Sequence, residues 1–338
     1  MENRYSRQQL FSLIGERGQN FIRQKHVLIV GLGALGSASA EALVRAGIGE
    51  LTIIDRDYVE CSNLQRQQLY HEEDALKKLP KAIAAYNRLS QINSDVKINA
   101  HIMDVRADNL EGLLNHVHVI IDATDNFDIR FILNDFSQKY KIPWIYGSCV
   151  GSFGVSYTII PEVTPCLQCV LKAVPMTGVT CDTAGIISPA VQMVAAYQIA
   201  ECMKILVEDY SSLRDTYIAF DLWNNQHHAI SVKKLKDENC SSCGNNPTYP
   251  FLSYEWQTKT EVLCGRNTVQ IRPPRKMSMN FSFLQSKLEK LGEVKRNPYL
   301  LSLQLNEMTM VFFQDGRVFV HGTNDMLQAK NLYYKVLG

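Results

Sequence analysis

The chain has little net charge and no long apolar run. Its formal charge is +1 over 338 residues, which argues against a general affinity for nucleic acid or for an anionic membrane surface. The longest apolar candidate, 186–200, is broken by Ser188, Pro189 and Gln192, so nothing reaches the length of a bilayer span. The opening Met1-Glu2-Asn3-Arg4-Tyr5 lacks the apolar core of a secretory signal. These absences give a cytoplasmic expectation, with no nucleic acid and no membrane among the partners. Hydrophobic residues are 46% and charged residues 20%, which excludes a disordered chain. Cysteine is not scarce: there are nine, an odd count. Without an export signal, these are expected to be thiols and metal ligands rather than disulfides.

The chain is organised around residues 26–36. His26-Val27-Leu28-Ile29-Val30 has the composition of a strand buried on both faces. It runs into Gly31-Leu32-Gly33-Ala34-Leu35-Gly36, a helical pattern over 37–46, and a second apolar run, Leu51-Thr52-Ile53-Ile54, ending at Asp55. Strand, glycine turn, helix, strand and acid within about 30 residues form a nucleotide-binding frame. In such a frame Gly31 makes the tight turn, Gly33 lets backbone approach a phosphate, and Gly36 lets the helix pack closely on the sheet. The helix start offers free N–H groups to an anion, and Asp55 can accept from a ribose hydroxyl. A close-packed turn without ligand is the bland alternative.

Charged candidates follow at strand ends, where ligands bind in open α/β sheets. Arg66 lies in the polar run 61–68 and offers a fork of donors for a phosphate, with Asn63 and Gln67 placed to orient it; an ordinary surface loop would look similar. Pro80 opens a helix over 81–92, putting Lys81 at its positive end, where a lysine is unfavourable unless an anion is near. The strand over 117–121 ends in Asp122-Ala123-Thr124-Asp125-Asn126. Asp125 is a hard oxygen ligand suited to Mg²⁺ beside phosphates, or a cap for a helix over 129–140. Arg7, in the polar Tyr5-Ser6-Arg7-Gln8, reads on its own as a solvated charge. Further strands over 142–146 and 155–160 complete an alternation of strands and helices. That pattern predicts a Rossmann-like, mainly parallel sheet with helices on both faces.

Two Cys-x-x-Cys knuckles, Cys166/Cys169 and Cys240/Cys243, can supply four thiolates to one tetrahedral, non-catalytic Zn²⁺. The separation requires that the fold bring them together. Between them, 171–185 reads as a crossing loop, and function concentrates in such loops; it carries Cys181, a reactive or an inert thiol. A helix over 188–208 and strands over 217–220 and 228–232 follow. The His227-His228 pair reads as solvated or packed rather than as a metal site. Residues 244–260 have the texture of a linker. Beyond it, 260–338 predicts a small α+β domain, with a helix over 281–291, a hairpin at Asp315-Gly316 and a closing helix over 324–335. Cys264 is expected to pack. The expected domains are therefore 1–250 and 260–338.

Over residues 4–243 these motifs resemble the ThiF/MoeB/HesA family, bacterial relatives of ubiquitin-activating enzymes, and within it most closely the ThiF-type enzymes of thiamin synthesis. The resemblance rests on Tyr5-Ser6-Arg7-Gln8, the glycine turn, Asp55-Arg56-Asp57, Ser62-Asn63-Leu64-Gln65-Arg66-Gln67, Pro80-Lys81, Thr124-Asp125-Asn126 and both cysteine knuckles. It implies an adenylyltransferase that uses Mg·ATP. Its substrate is the terminal carboxylate of a ubiquitin-like sulfur carrier ending in Gly-Gly, prepared for thiocarboxylate formation in thiazole synthesis. Arg66 and Lys81 match the family's phosphate-binding positions, Asp125 its Mg²⁺ position, Asp55 with Asp57 its ribose region, and Arg7 an arginine delivered across a homodimer. Cys181 matches a cysteine used by some members in sulfur transfer. No rhodanese-like cysteine loop occurs in 260–338, so a separate persulfide donor is expected. Three rival readings remain, one of them a non-catalytic scaffold, which the intact charged set disfavours. Activation of the molybdopterin-synthase small subunit, in the MoeB manner, shares the first step. An NAD-dependent oxidoreductase shares the glycine turn but leaves Arg66, Lys81 and the cysteines unexplained.

Overall fold

The computed structural model describes residues 4–172, 184–253, 260–263, 267–272 and 278–337. The chain divides into two compact units, one of Met1–Val179 with Ala184–Gln257, the other containing Thr258–Gly338.

The larger unit is built on eight strands: β1 (His26–Val30), β2 (Glu50–Asp55), β3 (Lys97–Ile102), β4 (Val119–Asp122), β5 (Trp144–Val150), β6 (Phe153–Ile159), β7 (Thr216–Asp221) and β8 (Gln226–Ser231). They lie in the order β3-β2-β1-β4-β5-β6-β7-β8. The pairings from β3 to β5 are parallel and those from β5 to β8 antiparallel. The continuous apolar runs have a direct cause. Along β1, Val27 and Ile29 enter one hydrophobic core while Leu28 and Val30 enter another on the opposite face. The first core is closed by Leu43 and Val44 of helix Ala34–Ala46, Leu89 of Lys81–Ile92 and Ile205 of Ser188–Leu206. The second is closed by Ile129, Leu133 and Phe136 of helix Phe127–Tyr140. Helices therefore cover both faces, as a parallel sheet requires.

The simple strand–helix alternation does not extend past β5. Only Gly151 and Ser152 separate β5 from β6, and a two-residue connection can join only antiparallel neighbours. Gly151 takes φ +61° there.

The smaller unit is an antiparallel sheet of six strands: β9 (Thr260–Leu263), β10 (Thr268–Ile271), β11 (Glu293–Arg296), β12 (Leu300–Leu305), β13 (Met308–Phe313) and β14 (Val318–His321), ordered β11-β12-β13-β14-β10-β9. Phe281, Leu284 and Leu288 of helix Phe281–Leu288, with Ala329 and Val336 of helix Met326–Leu337, share one core with residues of this sheet. Among the described residues no helix is long and apolar enough to cross a membrane.

Candidate functional site

The strand order turns back between β1 and β4, and in open α/β sheets that switch point opens the ligand crevice at the carboxyl ends of the strands. Gly31 follows β1 with φ +90°, a conformation that suits glycine. A Cβ on it would stand 2.5 Å from the Ala123 carbonyl oxygen, and one on Gly36 would stand 1.9 Å from the Gly31 carbonyl oxygen. Both glycines are demanded by close backbone packing. Gly33 differs: only Gln67 Nε2 lies within 4 Å of a Cβ there, at 3.8 Å. Helix Ala34–Ala46 begins directly after it with no side-chain cap, so its first N–H groups face that open space without an intrahelical partner. Gln67 is buried, and its Oε1 has no hydrogen-bond partner. An open backbone and uncapped N–H groups suit a phosphate-bearing ligand, and the orphaned Gln67 oxygen suits a hydroxyl or amino donor on it.

Asp55 ends β2 and is buried. Its Oδ2 accepts the Leu32 N–H at 2.6 Å and its Oδ1 the Asp57 N–H at 2.6 Å. The acid thus ties the glycine turn to the following run, and burial raises its pKa against the opposing pull of Lys81. The Tyr70 hydroxyl donates to the Leu32 carbonyl at 2.7 Å from the same side. Lys81 is buried as the first residue of its helix, with Nζ 3.4 Å from Asp57 Oδ2. Asn63 is buried and accepts the Glu60 N–H at 3.2 Å through Oδ1. Arg66 donates to the Ser62 carbonyl at 3.0 Å, and no carboxylate among the described residues pairs with it.

Beyond β4 the helix cap is Asn126, whose Oδ1 accepts the Asp128 N–H at 2.7 Å and the Ile129 N–H at 3.4 Å. The capping alternative for Asp125 therefore falls to its neighbour. Asp125 is exposed and makes no hydrogen bond or ion pair among the described residues. One residue that sequence reasoning missed stands behind it. Arg130 is buried, with Nε 3.2 Å from Asp122 Oδ2 and Nη2 2.6 Å from the Thr124 carbonyl oxygen. Its guanidinium also lies over Phe127, 4.8 Å from the ring centroid. Asp122 in turn accepts the Thr124 N–H at 2.9 Å. Arg130 sits one helical turn after the cap, and no motif in the sequence marks it.

Tyr5 is buried and accepts from the Asn93 amide at 2.8 Å. The short helix Ser6–Gln9 that follows carries Arg7 exposed, without an ion pair among the described residues. Leu10, Phe11 and Leu13 beside it are 71%, 56% and 61% exposed.

The two cysteine knuckles meet. The sulfurs of Cys166, Cys169, Cys240 and Cys243 all lie within 4.8 Å of one another, with separations of 3.8 Å for Cys166–Cys169, 3.7 Å for Cys166–Cys240 and 3.6 Å for Cys169–Cys243. A tetrahedron of Zn–S bonds near 2.3 Å has edges of about 3.8 Å, whereas a disulfide needs about 2.05 Å. The cluster is consistent with zinc. Nearby Asp135 is buried, which raises its carboxyl to about 6, opposed by hydrogen bonds from Ser242 and the Phe251 N–H. His227 and His228 lie on exposed β8, and the His227 ring pairs with the Tyr197 hydroxyl at 2.8 Å. Cys181 and Cys264 lie outside the described residues.

A family model described as the ThiF family matches residues 5–242. The "Sulfur carrier protein ThiS adenylyltransferase" of Bacillus subtilis is 50% identical over 339 aligned positions, covering 100% of both chains. The "Molybdopterin-synthase adenylyltransferase" of Salmonella typhimurium is 31% identical over 71% of this chain and 96% of its own. Among solved structures, E. coli MccB with ATP superposes with a TM-score of 0.61 at 22% identity, over 72% of this chain and 74% of that one; at that identity the likeness concerns the fold.

Proposed function

The chain belongs to the ThiF family, and on that premise we propose that it adenylates the C-terminal Gly-Gly carboxylate of a ThiS-like sulfur carrier, using Mg·ATP and releasing pyrophosphate. The observation that carries this reading is the 50% identity to a ThiS adenylyltransferase along the whole chain. The match includes the smaller unit, whereas the molybdopterin-synthase adenylyltransferase spans 71% of this chain.

The chemistry assigns each residue a task. A carboxylate is a poor acceptor for sulfur, and converting it to an acyl adenylate supplies a good leaving group. The carrier's carboxylate oxygen bonds to the α-phosphorus while the bond to the departing pyrophosphate breaks. Charge gathers on the phosphate oxygens, and fixed cations stabilise it. Arg66, unpaired by any described carboxylate, and Lys81, held beside Asp57, are those cations. The uncapped helix start after Gly33 receives phosphate oxygens, with Gly31 and Gly36 shaping the turn. Asp55 and Asp57 line the ribose end; Asn63 and Gln67 orient the nucleotide and Arg66. Asp125 is the carboxylate for Mg²⁺, which would draw charge from the phosphates. The Cys166, Cys169, Cys240 and Cys243 site holds Zn²⁺ structurally, since four thiolates leave no open position.

Arg7 completes the site of a second copy in a homodimer; its exposure and the exposed Leu10, Phe11 and Leu13 beside it support that arrangement. Sulfur then comes from a separate persulfide-bearing protein: Cys181 either attacks the acyl adenylate as a thiolate, expelling AMP to give a thioester, or receives the donor's outer sulfur as a persulfide and attacks with it, expelling AMP to give an acyl disulfide that a thiol reductant cleaves to the thiocarboxylate. The expected compartment is the cytoplasm. ATP–pyrophosphate exchange with a panel of purified Gly-Gly-ended carriers tests the reading. Exchange with a ThiS-type carrier supports it. Exchange with the molybdopterin-synthase small subunit alone would transfer the function to the MoeB-like activity.

A further inference from the structure

The residues between the paired cysteines are bonded to one another and to one helix. In the first knuckle, the Leu167 N–H donates to Asn134 Oδ1 at 2.8 Å. Gln168 Oε1 accepts from the Ser241 hydroxyl at 3.2 Å and lies 2.9 Å from that of Ser242, both in the second knuckle. The Ser242 hydroxyl also meets Asp135 Oδ1, while Asp135 Oδ2 accepts the Phe251 N–H at 2.9 Å. The Ser242 N–H points at Cys240 Sγ from 3.4 Å. Asn134 and Asp135 are adjacent on helix Phe127–Tyr140, and both are fully buried, as is Ser242 at 1% exposure. One helix therefore grips each knuckle through one side chain, and Gln168 bridges the two.

A buried carboxylate and a buried carboxamide are costly unless their hydrogen bonds are made. Here Asn134 Oδ1 is satisfied from the 166–169 segment and Asp135 Oδ1 from the 240–243 segment, while Asp135 Oδ2 is satisfied by Phe251 and Asn134 Nδ2 has no partner among the described residues, so the two Oδ1 atoms are satisfied only when both knuckles are seated. We propose that Asn134, Asp135 and Gln168 form a frame that holds the four sulfurs at metal-binding spacing before the metal arrives. Zn²⁺ then enters a built site instead of folding one, unlike small zinc domains in which binding and folding are one event. Asn134, Asp135 and Gln168 are positioning residues: none of them touches the metal.

The test uses the full chain, with zinc removed by a chelator under reducing conditions. Zn²⁺ affinity is measured by competition with a chromophoric chelator for wild type, Ser242→Ala, Ser242→Thr and Asp135→Asn. Loss of an outer-shell partner weakens metal binding by about 10–100-fold, and that loss is expected for Ser242→Ala and Asp135→Asn. Ser242→Thr keeps the hydroxyl and should stay near wild type, an outcome that general destabilisation would not produce. Zinc-free wild type should keep its near-UV circular dichroism and its thermal transition. Wild-type affinity in Ser242→Ala and Asp135→Asn would overturn the frame, as would collapse of the near-UV signal in zinc-free wild type. Should Asp135→Asn fail to fold, the Ser242 pair decides alone.

Discussion

Lys81 is held twice by Asp57: its backbone N–H donates to the Asp57 carbonyl at 2.8 Å, and its Nζ stands 3.4 Å from the Asp57 carboxylate. The first contact fixes where the helix starts. The second is longer than the 2.7–2.9 Å or so of a tight charged hydrogen bond, so the ammonium is aimed without being consumed. Arg66, whose described bond goes to a carbonyl, is likewise available. Lys81→Ala and Arg66→Ala should each cut carrier-dependent pyrophosphate exchange by at least about a hundredfold, the scale of losing one transition-state charge contact. Exchange at wild-type rates in both variants would place the phosphate site elsewhere.

Arg7 reaches no acid among the described residues and stands beside exposed apolar side chains. If it serves a second copy's site, Arg7→Ala and Lys81→Ala chains are each inactive alone, yet a hybrid dimer contains one intact site. Mixing them, with subunit exchange verified by differently tagged chains, should restore part of the activity. No recovery after exchange is verified would remove Arg7 from a shared site.

Cys181 separates activation from sulfur transfer. Adenylation is phosphate chemistry and needs no thiol, whereas a thiolate is a competent nucleophile toward an acyl adenylate. Cys181→Ser should keep pyrophosphate exchange near wild type and lose any reductant-sensitive covalent link between enzyme and carrier. Non-reducing electrophoresis with carrier, ATP and a persulfide donor reads this out. Absence of such a link in wild type makes Cys181 a bystander.

Arg130 and Asp122 form a buried ion pair, 3.2 Å apart and 3% and 0% exposed. Removing one member leaves an uncompensated charge, and Arg130→Ala should cost about 3–5 kcal/mol in denaturant unfolding. A loss under about 1 kcal/mol would mean that the Asp122 carboxyl is already neutral in the fold, the direction in which burial pushes it.

His26 is buried in β1, with Nε2 2.8 Å from Thr52 Oγ1 and its backbone N–H donating to His118 Nδ1 at 3.1 Å. Burial lowers its pKa from 6.5, partly opposed by Glu50. A depressed folded pKa means that the unfolded chain binds the proton first, so stability rises with pH through this window. This contribution is complete above 6.5 and is lost as pH falls through the folded value. Melting temperature should drop on going from about pH 7.5 to 5.5, in the range where histidine titrates. His26→Gln should flatten that slope, while His118 and His101, shifted in the same direction, keep it from vanishing. An unchanged slope in His26→Gln would contradict this assignment.

The glycine turn, Asp55 and the parallel strands were legible because each rests on a strong local rule. A strand buried on both faces must be apolar throughout, as Val27 to Val30 are, and Gly31 and Gly36 stand where any Cβ would strike backbone. The knuckles were legible as one four-thiolate site, and they do meet; the bonds of Asn134, Asp135 and Gln168 around them were not legible, because none of these residues carries a motif. Arg130 escaped for the same reason: a lone arginine in a helix resembles a solvated one until Asp122 and Thr124 are folded beside it. β11, Glu293–Arg296, is a charged, largely exposed edge strand that lacks the alternation by which strands are read. The switch to antiparallel pairing after β5 was written in the shortness of Gly151-Ser152, a signal weaker than the repeated pattern preceding it.

Adenylation of a carrier's terminal carboxylate is the activity proposed for this site. Pyrophosphate exchange with a ThiS-type carrier, measured beside the same carrier lacking its last glycine, tests it most directly. Exchange with the intact tail and at least about a hundredfold less with the shortened one, the scale of a lost reacting contact, is the predicted result. Equal exchange with both tails, or exchange without any carrier, would contradict it.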